Sequence, residues 1–315
     1  MAFAGLRVVL VAKFNERYHR TGGAIARALA ELGCEVATCE ERTRSWGRVF
    51  GRTLERRLAG VVARHRPDVV LVFKGATLEP ESIDRLRSVG PARWLNWFPD
   101  SPHLLDLSLR IGRAYDAVFV FDTSMVDRHR ASGRNARYLP EGCEPTFHRP
   151  LPDPAWPRSP IAFVGSWEPG RAAALESVRD LGLRVWGPDW PAGPLYGDDF
   201  IRAFSNADVA LNVHQFFGEP AGRGWYGTGA NRRVFELAAI GTVQLCDAKG
   251  DIGRNFIEDR EIVLFRTVAE LRAKASQLLA DPGARAGLAI AARTRALAEH
   301  TWRHRLTEML TEGLR

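Results

Sequence analysis

The chain has 315 residues, 45% hydrophobic and 26% charged, a globular average with enough length for two cores of ordinary domain size. Mean hydropathy is -0.20, and Arg, Asp or Glu interrupts every apolar run, which excludes a membrane-spanning helix of about 20 apolar residues. The formal charge of +7 arises before residue 150 and is carried by Arg far more than Lys; no helix-turn-helix, zinc-finger or aromatic RNA-binding motif accompanies it, so nucleic acid is not the expected partner.

In chain order, the first half alternates β-branched runs at 6–11, 35–38, 68–73, 94–98, 117–121 and 136–139 with helical spacing near 21–32, 51–65, 80–88, 104–114 and 124–132. The opening MAFAGLRVVLVAKF lacks a basic start and a small-residue cleavage site, so it reads as a buried first strand, and a cytoplasmic protein is expected. The stretch 42–66 holds eight Arg around Trp46, Phe50, Leu54, Leu58 and Val61 at helical spacing. Between two strands it reads as a sheet-packing helix, with at most peripheral membrane contact as the other reading.

From 148 to 160 the text becomes HRPLPDPAWPRSP, whose prolines remove backbone donors and fix φ. A domain boundary is expected there, with domains at 1–150 and 151–300. Strands follow at 161–164, 184–186, 209–213, 242–246 and 262–265, and the tail 268–314 is helical. The prediction is α/β, two Rossmann-like domains of parallel sheet facing across a cleft at their carboxyl edges, where such sheets bind ligands. Cys34, Cys39, Cys143 and Cys246 have neither zinc-site spacing nor disulfide density and read as reduced and structural.

Glycines at strand-to-helix turns allow a phosphate to reach orphan N–H groups. Gly22 and Gly23 open the first helix, either as a tight turn or as a wall of an acceptor site; the spacing and the missing acidic residue disfavour NAD or FAD. Gly165 and Ser166 end a buried strand ahead of Glu168 and Arg171, a candidate phosphate contact. The glycine-rich 222–229, with Thr228 and Gly229, runs into Asn231, Arg232, Arg233 and Glu236. Two guanidiniums at a helix start offer charge and donors to a diphosphate, and Glu236 could accept ribose hydroxyls. Trp186, Gly187 and Trp190 after a strand could flank the base, and Asn212 and His214 end another strand at the same edge.

Lys74, Gly75, Asp100 and His103 fall at the corresponding edge of the first half. Lys74 and Gly75 read as acceptor contacts. Asp100 and His103 could serve as base or acceptor orienter, or Asp100 or Ser101 could cap the helix that Pro102 begins. There is no D-x-D, H-E-x-x-H, paired-Cys or Walker A motif, so no metal is expected and protein cations would stabilise a departing diphosphate.

The ordered motifs LVFKG, WFPDSPH, YDAVFVFD, LPEG, FVGS, ALNVH, ANRRVFELAAIGTVQLCD and AEHTWRHR resemble the CgeB-like (spore-maturation type) glycosyltransferases, relatives of glycosyltransferase group 1 with the GT-B fold. In the group, the segment matching Asn231, Arg233, Phe235, Glu236, Ala239, Gly241 and Asp247 holds the nucleotide sugar, with its Glu, here Glu236, on the ribose. The group's other Glu, eight positions earlier, is Thr228 here. The resemblance implies a metal-independent transfer from a nucleotide sugar, UDP-sugars foremost, to a glycan, protein or small-metabolite acceptor, and a final helix, 301–315, crossing back to the first domain. A sugar-nucleotide epimerase of the same fold and a non-catalytic nucleotide-sugar-binding or partner-binding protein are the rival expectations.

Overall fold

A computed structural model describes residues 3–15, 20–41, 47–100, 102–215, 217 and 227–315, with side chains for all of these except 47–53. Two compact units result, one formed by Met1–Pro140 with Trp302–Arg315, the other by Glu141–Thr301.

In the first unit, β1 (Arg7–Ala12), β2 (Glu35–Glu40), β3 (Val69–Phe73), β4 (Arg93–Phe98), β5 (Ala117–Val120) and β6 (Ala136–Tyr138) form one sheet in the order β2-β1-β3-β4-β5-β6. Every pairing is parallel. Parallel strands are covered on both faces, which is why β1 and β3 read VVLV and VVLVF without polar alternation. Helices α1 (Arg20–Glu31), α2 (Gly47–His65), α3 (Pro80–Arg87), α4 (Leu105–Gly112) and α5 (Thr123–Ala131) connect them. As expected, α2 lies on the sheet, burying Leu54, Leu58 and Val62, with Val62 in the place anticipated for Val61; Trp46 and the side chain of Phe50 fall outside the described residues.

The second unit has β7 (Ser159–Val164), β8 (Leu183–Trp186), β9 (Ala207–Asn212), β10 (Gln244–Asp247) and β11 (Val263–Phe265) in the order β11-β10-β9-β7-β8, again all parallel. Its helices are α6 (Pro169–Glu176), α7 (Asp198–Ser205), α8 (Arg232–Ile240), α9 (Val268–Ala280) and α10 (Pro282–Glu299).

The units part at Pro140 rather than at 150, because the proline-rich stretch is bonded into the second one. Cys143 bridges Thr301 and donates its N–H to the His300 carbonyl, and Leu151 N–H reaches Ser205 Oγ. The last proline of the stretch, Pro160, already sits inside β7. Pairing with β8 begins only at Ile161, so the donor Pro160 lacks is not needed there, and Gly182 (φ +84°) makes room for its ring.

The final helix, α11 (Trp302–Gly313), packs beside α1. Trp302, Leu306, Met309 and Leu310 are buried in the first unit's core, and the Trp302 ring meets Trp97 edge-on at 5.4 Å. The expected crossing of the last helix to the first unit is thus observed. All four cysteines are buried and free, and among the described residues no helix is long and apolar enough to cross a membrane.

Candidate functional site

The carboxyl edge of the second sheet gathers the ends of β7, β8, β9 and β10 and the start of α8. Asn231 caps α8, its side chain accepting from Val234 N–H, and pairs through its amide with Asn212 at the end of β9 (3.1 Å each way). Asn212 also donates to Gln244, whose amide reaches the Val234 carbonyl.

Expected at this edge as a ligand contact, His214 has both ring nitrogens engaged within the protein. Nδ1 and the backbone N–H both lie 2.7 Å from Asp247 Oδ1, and Nε2 accepts from Asn231 N–H at 3.1 Å. The ring is a strut that fixes the helix start. His214, Cys246 and Asp247 are, among the described residues, the group whose potential metal-ligand atoms come within 4.8 Å of one another. Here they form a hydrogen-bonded set: the Asp247 carboxyl is lowered because His214 and Lys249 outweigh its burial, while burial beside Asp247 pushes the Cys246 thiol well up.

On α8, Glu236 is buried and its carboxylate faces Arg232 Nε at 2.9 Å, Arg233 Nε at 3.4 Å and His148 Nε2 at 3.6 Å. Burial alone would raise its pKa; the three cationic or donor groups overcome that and hold it down at about 2. Arg233 lies over the Phe200 ring at 4.4 Å, and burial with the neighbouring Arg232 and Arg171 lowers it to about 10 against the pull of Glu236. Its Nη1 is buried with no acceptor among the described residues. Arg232 also approaches Glu141 at 3.6 Å.

Arg171 donates to the Val213 carbonyl and to the carbonyl and Oγ of Ser166. The start of α6, a candidate phosphate site, is filled by its own cap: Glu168 accepts from Gly170 and Arg171 N–H. Gly165 and Gly187 are held back to back, since a Cβ on Gly187 (φ +148°) would stand 1.8 Å from the Gly165 oxygen. Trp190, expected to flank a base, gives its indole N–H to that same oxygen at 3.0 Å and packs against the core around Phe163. Trp186 packs against the cluster of Ile201 and Phe204. Thr228 donates to Asp251, which anchors the Thr228–Gly229 end of the glycine-rich loop; residues 222–226 lie outside the described residues.

In the first unit, Lys74 and Asp100 form an ion pair at 2.9 Å at the ends of β3 and β4. Lys74 and Gly75 both have positive φ (+67° and +76°). Gly75 is demanded by its surroundings, Val72 and Tyr115 lying within 3.0 Å of any Cβ; the strained Lys74 is the residue aimed at Asp100. His103 is exposed on the single turn Pro102–Leu104, and Ser101 lies outside the described residues. The cap position of the turn that Pro102 begins is Ser101, outside the described residues, and the following α4 has Leu104 as its cap with no side-chain bond. Gly22 and Gly23 are buried within α1, and a Cβ on Gly22 would sit 2.2 Å from the Lys13 oxygen, which makes it a packing glycine where α1 crosses the exit of β1.

Sequence reasoning missed Glu141 and His148, which reach the α8 charges from the segment before β7. His148 Nδ1 accepts from Glu144 N–H, which puts the proton on Nε2, toward Glu236. No local spacing relates positions so far apart in the chain.

The family model described as Glycosyl transferase-like matches residues 171–311. No curated protein sequence matches the chain. Among solved structures, the sucrose-phosphate synthase (tll1590) of Thermosynechococcus elongatus is similar over 98% of each chain, with TM-score 0.73 at 14% identity. Anabaena Alr3699/HepE in complex with UDP-glucose gives 0.63 at 9% identity over 97% of this chain and 99% of that one. The lipopolysaccharide outer core galactosyltransferase WaaB, in its apo form, gives 0.63 at 8% identity with the same coverage. At these identities the likeness is one of fold, and the fold is GT-B, two Rossmann-like units, as the sequence leads one to expect.

Proposed function

We propose that the protein is a glycosyltransferase that moves a sugar from a nucleoside-diphosphate sugar, UDP-sugars foremost, to an acceptor hydroxyl. The observation that carries this reading is Arg233, a desolvated guanidinium on the first turn of α8 whose buried Nη1 has no acceptor among the described residues. A cation so placed, with Arg171 and Arg232 nearby and a helix N-terminus behind it, is best completed by a dianionic group. A departing diphosphate supplies one, and the guanidiniums then carry the charge that develops on it, so the reading requires no metal. Glu236 takes ribose hydroxyls; its Oε2, 3.4 Å from Arg233 Nε, is a carboxylate oxygen with more than one lone pair to offer. The glycosyltransferase-like profile over 171–311 and the UDP-glucose bound by the HepE neighbour support the donor class.

In this reading the bond from the anomeric carbon to the phosphate oxygen breaks, a bond to the acceptor oxygen forms, and the hydroxyl proton leaves to Asp100 or to the donor phosphate. Lys74, in its ion pair, orients Asp100, with Gly75 and His103 beside the acceptor.

The test is UDP release from UDP-glucose in chelator-treated buffer, wild type against Arg233→Ala. Turnover should fall about 10²-fold, the effect of removing one transition-state charge partner. Equal rates in the two proteins defeat the assignment, and conversion of the donor sugar without any acceptor points to an epimerase instead.

A further inference from the structure

We infer that Trp167 is the platform on which the donor's nucleobase stacks, an assignment that rests on the nucleotide-sugar reading above. Three aromatic rings stand at the exits of β7 and β8, and two are committed to the fold. Trp190 spends its N–H on the Gly165 carbonyl and Trp186 packs on the core. Trp167 is 46% exposed; among the described residues its ring has no aromatic partner and its indole N–H no acceptor.

Its backbone, in contrast, is fixed on all sides. Trp167 N–H donates to the Pro188 carbonyl at 3.0 Å, Ser166 Oγ accepts from Arg171 on one side, and Glu168 caps α6 on the other. A ring left in water on a rigid backbone is pre-organised, so a planar ligand meets little ordering cost there.

Position selects the occupant. Trp167 adjoins Ser166, which holds Arg171, and Arg171 lies close enough to Arg233 to lower its pKa. A diphosphate held by those guanidiniums carries its base one ribose away. The Gly165–Gly187 contact draws the two strand exits together, and Trp190, seated on the Gly165 oxygen, leaves Trp167 as the ring still open to a ligand there. Stacking on an indole is tolerant of base identity, so uracil and guanine nucleotides should depend on Trp167 alike.

The experiment is isothermal titration of UDP, GDP and pyrophosphate into the full chain, wild type, Trp167→Ala and Trp167→Phe. The expected result is a loss of about tenfold or more in nucleotide affinity for Trp167→Ala, near-retention in Trp167→Phe, and unchanged pyrophosphate affinity in both. Unchanged nucleotide affinity in Trp167→Ala overturns the assignment. So does a parallel loss of pyrophosphate binding, which would mean that the ring supports the loop. Wild type binding pyrophosphate as tightly as UDP removes the base site while sparing the anion site; wild type binding none of the three removes the donor reading itself.

Discussion

Two buried side chains give the protein separate acid limits. His129 is buried against Ser108 Oγ at 2.8 Å, and burial, with Arg134 adding, lowers it to about 4 from 6.5. Its folded state binds the proton less readily than the unfolded chain, so stability is complete above pH 6.5 and declines as pH falls toward 4. Glu236 is the carboxylate case: depressed to about 2 from 4.5, it contributes above pH 4.5 and that contribution disappears as pH falls through 2. Urea midpoints measured from pH 7.5 down should therefore drop first between 6.5 and 4, and His129→Asn should flatten that limb while leaving the steeper loss below 4.5 in place. A wild-type midpoint that stays level from pH 6.5 to 4 would contradict the placement of His129. Glu236 was legible in the sequence as a helix residue behind two arginines. His129 was not, since nothing in TSMVDRHRA separates a buried ring from a solvated helix-end one.

Glycines sort the helices into those whose spacing is fixed by contact and those that are merely permissive. Gly22 in α1 faces the Lys13 carbonyl, whereas Gly60 in α2 is solvent-exposed, and a methyl group added there would meet nothing within 4 Å. Gly60→Ala should raise stability by about 0.5–1 kcal/mol, the ordinary helix-propensity gain. Gly22→Ala should lower it by more than that, because backbone rather than a flexible side chain blocks the added carbon. Thermal or denaturant melts of the pair check both signs. The central strands β1 and β3 were readable because doubly covered parallel strands are written as unbroken β-branched and apolar runs, whereas edge strands such as β2, EVATCE, carry a weaker signal. What lies at the strand ends was less readable. The cap that Glu168 provides to α6 hides in a segment that also looks like a phosphate loop, and the His214–Asp247 pair joins two strands through residues no periodicity connects. Asn231, Arg233 and Glu236 were placed correctly on one helix start because i, i+2 and i+5 positions fall within the first turns of any helix.

The first unit is closed by a helix borrowed from beyond the second. Removing residues 302–315 would strip Trp302, Leu306, Met309 and Leu310 from its core, together with the Arg137–Glu312 ion pair. Burial of each such apolar side chain is worth about 1.5–3 kcal/mol, so the loss rivals the whole stability of a typical domain. A chain truncated after Thr301 should show lost amide protection in β1, β3 and α1 by hydrogen exchange, while the second unit, contiguous from Glu141 to Thr301, keeps its own. Protection of both units in the truncated chain would show that α11 adds little. The same arrangement sets an order during synthesis. The first 140 residues leave the ribosome early yet cannot complete their core, and their apolar α1 face waits uncovered while the second unit is made and folds. The part of the chain made first is therefore the last to become stable, and its exposure to chaperones and proteases is set by the time needed to translate everything between Pro140 and Trp302.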